Sequence, residues 1–336
     1  MDKQISDKDI SIIAEIGSVH DGSLGNAMHA VAAASSCGAD IVKFQTHIAE
    51  AESLENAPMP CFFQGESRME YFRRTSFDLD QWNKISKHCI ENNVVFLSSP
   101  FSIEAVELLE EIGVCAYKIP SGEVTNVPLL ERVAKTGKSI YLSSGMSNWA
   151  ELDDAVSILR KKCSLNIMQC TSSYPCPPSR VGLNVMLEMK TRYGLPVGFS
   201  DHTLGSAASI SASALGASVV EKHFTFSKLM YGSDAKHSME PVEFKDFCTQ
   251  VKEANLILTQ PVDKDDLSEY EEMKLVFEKS IVTSRSIRKG HTLKFLDLAF
   301  KKPGNGISAN QYMNLIGRQV RESLPVDHKI SWNDLI

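Results

Sequence analysis

The chain has 336 residues, 43% of them hydrophobic, with a formal charge of −7 at neutral pH. That length holds a barrel of about 250 residues and one small further domain. The acidic balance argues against a general nucleic-acid binder, whose surface is basic, and no apolar run approaches the ~20 residues that span a bilayer.

The N-terminus, Met1-Asp2-Lys3-Gln4, is polar and carries no signal-peptide core. The eight cysteines show neither a C-x-x-C pair nor zinc-type spacing. They read as small buried thiols of a reducing compartment, so a cytoplasmic protein is expected.

Eight strand-like segments follow in order: Ser11–Gly17, Asp40–His47, Val94–Pro100, Ala116–Gly122, Ser139–Gly145, Leu165–Pro175, Leu195–His202 and Ser218–Thr225. Most are apolar runs that turn polar only at the C-terminal end. Strands buried on both faces by covering helices read this way. Helical patterns lie between them. Asn26–Cys37 is alanine-rich and stops at Gly38, Ile103–Glu111 stops before Gly113, and Pro128–Lys135 opens on proline and stops before Gly137. Trp149–Lys162 places Leu152, Val156 and Leu159 on one face, and Leu204–Leu215 stops at Gly216. Eight strand–helix units with right-handed crossovers predict a (β/α)8 TIM barrel over residues 1–262.

The gap after the second strand is long and charged. Its Phe62–Arg74 stretch reads either as a binding loop or lid at the barrel mouth or as a solvated helix before Trp82. After a helix over Glu243–Thr259, the acidic run from Asp263 to Glu272 reads as a solvated connector, within a linker over 263–278. Short pieces then alternate with turns. Ser280–Thr283 and Leu298–Lys302 read as strands, and residues 279–336 as a small second domain.

In a barrel of this kind, chemistry sits at the C-terminal ends of the strands. The first strand ends in Glu15-Ile16-Gly17, a carboxylate able to orient water or move a proton, although a glutamate at a loop edge is ordinarily just solvated. Lys43 and Gln45 share one face of the second strand. Lys118 lies in the fourth, and Ser98-Ser99 and Ser143-Ser144 in the third and fifth. A lysine inside an apolar strand is costly without a partner, so Lys43 and Lys118 point to a phosphate or carboxylate site. His202 and His223 end consecutive strands about 4.8 Å apart. A lone histidine is more often a structural hydrogen bonder, whereas two at one level read as metal ligands with positions open for water and substrate. Spacing alone leaves Mn, Mg, Zn and Fe open.

Taken in order, several motifs resemble the N-acetylneuraminate (sialic acid) synthase family. They are Ala14-Glu15-Ile16-Gly17, Lys43-Phe44-Gln45-Thr46, Tyr117 to Glu123, Leu142 to Met146, Cys170 to Pro175, Phe199 to Thr203 and Glu221 to Thr225. The tail, with Lys302-Pro303-Gly304-Asn305-Gly306, resembles the family's antifreeze-like SAF domain of β-clip type. The resemblance implies an enzyme that condenses phosphoenolpyruvate with an open-chain N-acetylmannosamine-type sugar. The products are a nine-carbon nonulosonic acid, of the N-acetylneuraminic or legionaminic type, and phosphate.

By motif position it implies metal ligation by His202 and His223, usually of manganese, with magnesium as the alternative. It implies catalytic work for Glu15, Lys43, Lys118 and Glu123. Ser99, Ser121, Ser143, Ser172 and Ser200 would assist with phosphoenolpyruvate, while Gln45, Tyr174 and Asp234, like Glu123, match positions near the sugar. It also implies a domain-swapped homodimer in which the SAF domain of one subunit covers the barrel mouth of the other. Two positions depart from the family pattern. Lys302 stands where arginine often reaches the sugar's N-acyl group, and lysine lacks the planar fork; Ser172 stands where many bacterial members have asparagine. The rival readings are a phosphoenolpyruvate-dependent aldol synthase of the 3-deoxy-heptulosonate type and a non-catalytic sugar-binding relative.

Overall fold

The computed structural model describes residues 10–58 and 65–336. The readings made on Met1–Gln4 and on the start of the Phe62–Arg74 stretch lie outside the described residues. Strands β1 (Ser11–Gly17), β2 (Ile41–Thr46), β3 (Val95–Pro100), β4 (Ala116–Ile119), β5 (Ser139–Ser143), β6 (Leu165–Cys170), β7 (Val197–Asp201) and β8 (Val219–His223) close into a parallel barrel in sequence order. In chain order the barrel helices are α1 (Leu24–Ser36), α2 (Ala49–Glu52), α3 (Arg68–Thr75), α4 (Leu79–Glu91), α5 (Ile103–Ile112), α6 (Val127–Ala134), α7 (Trp149–Leu159), α8 (Leu183–Tyr193), α9 (Ala207–Ala214) and α10 (Pro241–Thr259). Ser23, Ser67, Asp78, Ser102, Asn126 and Asn148 start α1, α3, α4, α5, α6 and α7 by accepting a backbone N–H. Gly113 ends α5 in the left-handed region, as its place in the sequence predicts.

Two apolar compartments result from the period-two alternation. Outward-facing strand residues such as Val42, Phe44, Ile119, Leu142 and Val220 meet Val31, Ile85, Leu109, Leu130, Leu159 and Phe247 of the helices in the main core. Inside the barrel a smaller cluster of Ile13, Ile41, Leu97, Ala116, Met168 and Val219 plugs the lower end. Two residues further along each strand, about 6.6 Å higher, the inward positions change character. They are Glu15, Lys43, Ser99, Lys118, Ser143, Cys170, Ser200 and Glu221. Register holds this layer level: Glu15 pairs with both Lys43 and His223, Gln45 with Ser99, and Ser200 with Glu221. At Gly198 a Cβ would lie 2.5 Å from Val219 Cγ1. The missing side chain on β7 is therefore what lets Val219 of β8 fill the plug.

A helix, α3, does precede Trp82, and it is followed by α4, which buries Trp82, Ile85 and Cys89 on one face in the main core. Two stretches differ from the sequence reading. Helix α8 has no counterpart in the sequence reading, and its apolar face is made of Met186, Met189 and Tyr193. Part of the acidic run is ordered, since a 3-10 turn at Ser268–Tyr270 leads into helix α11 (Glu271–Phe277).

Residues 262–336 form a second compact unit. Strands β9 (Ser280–Thr283) and β10 (Leu298–Lys301) pair antiparallel over a separate core that includes Ile281, Leu293, Leu298, Leu315, Val320 and Ile330. Its buried Asp297 accepts from Arg285 Nη2 at 2.6 Å and lies 2.7 Å from His291 Nε2. Among the described residues no helix is long and apolar enough to cross a membrane.

Candidate active site

The polar layer forms the floor of a cavity of about 400 Å³ at the C-terminal end of the barrel. Its chemistry starts from two wholly buried ammonium groups. Lys43 Nζ lies 2.8 Å from Glu15 Oε2 and 3.7 Å from Glu221 Oε1. Lys118 Nζ lies 3.4 Å from the same Glu221 oxygen and donates to Ser143 Oγ at 2.7 Å. Ser200 Oγ donates to that Glu221 oxygen at 3.1 Å. Burial pulls Lys43 down, but the Glu15 and Glu221 carboxylates outweigh it and hold the ammonium above its ordinary value. For Lys118 burial wins, helped by the Lys43 charge, and the group is lowered. Burial pushes Glu221 up, but the Lys118 and Lys43 charges reverse that and hold it well below the carboxylate range. Two cations and two anions thus balance on the floor, with one lysine the more easily discharged.

Above the floor stand Gln45, Ser121, Ser172, Tyr174, His202, His223 and Asp234, all lining the cavity. The imidazole centroids of His202 and His223 are 5.5 Å apart. His202 Nδ1 lies 3.0 Å from the Thr171 carbonyl oxygen. A hydrogen there leaves Nε2 as a lone pair. His223 Nδ1 is buried and has no hydrogen-bond partner, and Asp234 Oδ2 is 4.0 Å away. Two nitrogen donors at one level, one of them an orphaned buried atom, fit a divalent cation that takes its other ligands from substrate and water. No group of three or more His, Cys, Asp or Glu side chains among the described residues is arranged to hold a metal on its own.

Gly17 is what lets the wall close over Glu15. Its φ is +54°, and a Cβ there would lie 2.7 Å from Asp234 Oδ2 and 3.2 Å from Gln45 Nε2. Only glycine combines that backbone with that clearance.

Of the residues expected from sequence, Glu15, Lys43, Gln45, Lys118, Ser121, Ser143, Ser172, Tyr174, Ser200, His202, His223 and Asp234 come together around this cavity. Two others, Ser99 and Glu123, do not line it. Ser99 Oγ sits 3.5 Å from Lys43 Nζ in the same inward layer, outside the cavity lining. Glu123 turns its carboxylate to Asn126, which donates to it at 2.7 Å and caps α6. Lys302 belongs to the second unit, where its ammonium lies 4.8 Å from the centre of the Phe277 ring.

The structure adds Glu221, Cys170, His47, Arg68, Tyr71 and Phe72 to the lining. Glu221 was legible in principle, because an acid two residues before His223 on an apolar strand needs a buried partner as much as a lysine does. The α3 residues fall in the stretch read as a loop or lid at the barrel mouth, but nothing there marks which face turns inward. By contrast Asp201, also at a strand end, points outward to Lys222 at 3.0 Å and accepts from Ser209, an ion pair that ties β7 and β8 to α9.

The model of the NeuB family matches residues 30–263, well over half of the chain, and that of the SAF domain matches residues 278–336. The chain belongs to the NeuB family. It is 38% identical over 328 residues to an N,N'-diacetyllegionaminic acid synthase of Campylobacter jejuni, covering 95% of this chain and 98% of that protein. It is 33% identical to the human N-acetylneuraminate-9-phosphate synthase, covering 95% of this chain and 90% of that one. A solved structure of N-acetylneuraminic acid synthetase from Leptospira borgpetersenii, in complex with citrate, superposes with a TM-score of 0.71 at 30% identity. That superposition covers 80% of this chain and 91% of the other. These NeuB-family relatives are synthases, and the chain is an enzyme of that kind.

Proposed function

We propose that this enzyme condenses phosphoenolpyruvate with the open-chain form of an N-acylamino sugar, giving a nonulosonic acid and phosphate. The observation that carries the proposal is the pair of buried lysines sharing Glu221 beneath two imidazoles. Two fixed cations at the bottom of the cavity suit the carboxylate and phosphate of phosphoenolpyruvate, and the hydroxyls of Ser143 and Ser200 add donors beside them.

In the reaction, C3 of the enol attacks the aldehyde carbon and forms the new C–C bond. The aldehyde oxygen takes up a proton and becomes a hydroxyl. The cationic C2 left behind takes a water molecule, the C2–O bond to phosphate breaks, and both water protons leave as C2 becomes a ketone, one balancing the new hydroxyl and the other the departing phosphate. Glu15 lies against Lys43 and faces the cavity beside Gln45, so it is the group that takes the first of these protons. Lys43 and Lys118 stabilise the charge that gathers on the departing phosphate. A divalent cation held by His202 and His223, manganese or magnesium, supplies Lewis acidity toward the aldehyde oxygen when bound. Tyr174 and Asp234 orient the sugar chain above the floor.

Among the sugars of this family we favour the 2,4-diacetamido-6-deoxy type. The 38% identity to the legionaminic synthase supports that choice. So do Phe72, Phe101 and Met146 in the cavity wall, where a 6-methyl group is better matched than a hydroxymethyl. The test is phosphate release from phosphoenolpyruvate with Mn, comparing kcat/KM for this sugar and for N-acetylmannosamine, with mass spectrometry of the product. A preference for N-acetylmannosamine removes the 6-deoxy assignment, and no release with either removes the condensation. We also propose that the active assembly is a homodimer, to be checked by light scattering of the purified enzyme.

A further inference from the structure

His47 follows β2 directly, and its ring is buried between two phenyl faces. The centroids of Phe72 and Phe101 lie 3.9 and 4.2 Å away, with planes within 10° and 17° of parallel. Its Nδ1 is 2.9 and 3.0 Å from the two carboxylate oxygens of Glu52, and its Nε2 is 3.1 Å from Gln45 Oε1. Gln45 Nε2 donates to Glu15 Oε1 at 2.7 Å. A continuous chain therefore runs from Glu52 through His47 and Gln45 to Glu15.

With Glu15 and Glu52 both ionised, donor and acceptor capacities close this chain in one way. An ionised carboxylate accepts and cannot donate. Glu15, paired with Lys43, therefore takes the amide nitrogen of Gln45, and the Gln45 carbonyl turns to His47. A carbonyl also only accepts, so His47 Nε2 carries a hydrogen. Glu52 demands a hydrogen on Nδ1 for the same reason. A ring with hydrogens on both nitrogens is the imidazolium, and the faces of Phe72 and Phe101 attract a cation placed between them.

We infer that His47 is held as an imidazolium and acts as a positioning residue, fixing the Gln45 amide so that Glu15 stays oriented toward the reacting centre. The inference rests on the role given to Glu15 above. The charged groups around His47 are consistent with it. Glu52 of α2 contacts it, and Glu123, after β4, lies near enough to feel both His47 and Arg68 of α3. His20, after β1, is lowered to about 4, first by burial and then by the charge on His47, so it adds no competing cation. Through Gln45 the ring also meets the Glu15–Lys43 pair.

Loss of one proton from His47 would set a lone pair against an acceptor. The Gln45 amide would then turn and leave Glu15 without its donor. The expected signature is an alkaline limb in kcat, with KM for phosphoenolpyruvate little changed because Lys118 and Ser143 are untouched.

The test uses the full chain labelled with 15N-histidine, with the His47 signals assigned by comparison with His47→Gln. Two protonated ring nitrogens at neutral pH are expected, and a single one overturns the inference whether or not the enzyme turns over. Glu52→Gln keeps the shape and removes the anion. It should move the alkaline limb of kcat to lower pH, and Phe101→Leu, which removes one ring face, should move it the same way by less. A limb unmoved in both variants overturns the positioning role. Absence of turnover in the unsubstituted enzyme would instead count against the proposed reaction, and the ring signals would still decide the state of His47.

Discussion

Replacing Glu221 by glutamine tests the floor of the cavity most directly. The carboxylate oxygen lies 3.4 Å from Lys118 and 3.7 Å from Lys43. At an effective dielectric constant of ~20, these contacts correspond to roughly 5 and 4.5 kcal/mol of attraction. Glutamine removes both while keeping the volume. Two buried ammonium groups would then share the single carboxylate of Glu15, and one must give up its proton. Lys118 is the group to do so, since burial already lowers it and it has no second carboxylate in contact. The sign follows from that: a lysine with a depressed value is charged below it and neutral above it, so the charge is lost at neutral pH and regained as pH falls. One charge-assisted contact to phosphoenolpyruvate, ~1.5–3 kcal/mol, should disappear near pH 7.5. That is a drop of about 10- to 150-fold in kcat/KM for phosphoenolpyruvate, with partial recovery toward pH 6. The assay is phosphate release against phosphoenolpyruvate concentration from pH 6 to 9, with circular dichroism to confirm folding. A Glu221→Gln enzyme with unaltered KM and an unaltered pH profile would refute the idea that this acid sets the charge of the lysines.

Further outcomes are expected at other positions. His202→Ala should leave the barrel folded while manganese affinity, read by calorimetry, and nearly all turnover are lost; undiminished metal binding would reject the ligand assignment. Gly17→Ala should cost about 1–2 kcal/mol in stability from its left-handed backbone, and should reduce turnover by pushing Asp234 and Gln45 off Glu15; a fully active variant would contradict the clearance argument. A chain ending at Pro261 should remain folded with the melting behaviour of a barrel, because the two units have separate cores; loss of all helical signal would argue otherwise. In the second unit, Asp297→Ala should lower stability by about 1–2 kcal/mol by removing the hydrogen bonds that its buried carboxylate takes from the Lys294 backbone and His291, measured by urea unfolding.

How much of this was legible in advance divides along a physical line. Apolar runs that turn polar at their C-terminal ends gave the eight strands, and glycine stops gave most of the helices between them, because a strand buried on both faces has few compositions open to it. The same reasoning marked Lys43, Lys118, His202 and His223, each a polar group where its neighbours are apolar. It did not separate Ser99, beside Lys43 in the inward layer, from Ser143, which lines the cavity, since both are strand-end hydroxyls. It offered the Phe62–Arg74 stretch as a loop or lid at the barrel mouth, yet did not mark which α3 residues face the cavity or that Trp82 is core, because a charged stretch does not reveal which side meets the barrel.

What the sequence determined by itself, then, was local: the eight apolar strands, the polar residues at their C-terminal ends, and the motifs that place the chain in its family. Only closure of the barrel decided the partners. Lys118 and Glu221 are 103 residues apart, on strands that do not pair, and meet across the interior. Their contact depends on strand register and on how far the plug lets opposite walls approach, and both are properties of the closed sheet. The same holds for His47, whose phenyl faces come from α3 and from the end of β3. A buried charge is visible in a sequence as an anomaly, and its partner becomes visible only once the chain has folded back on itself.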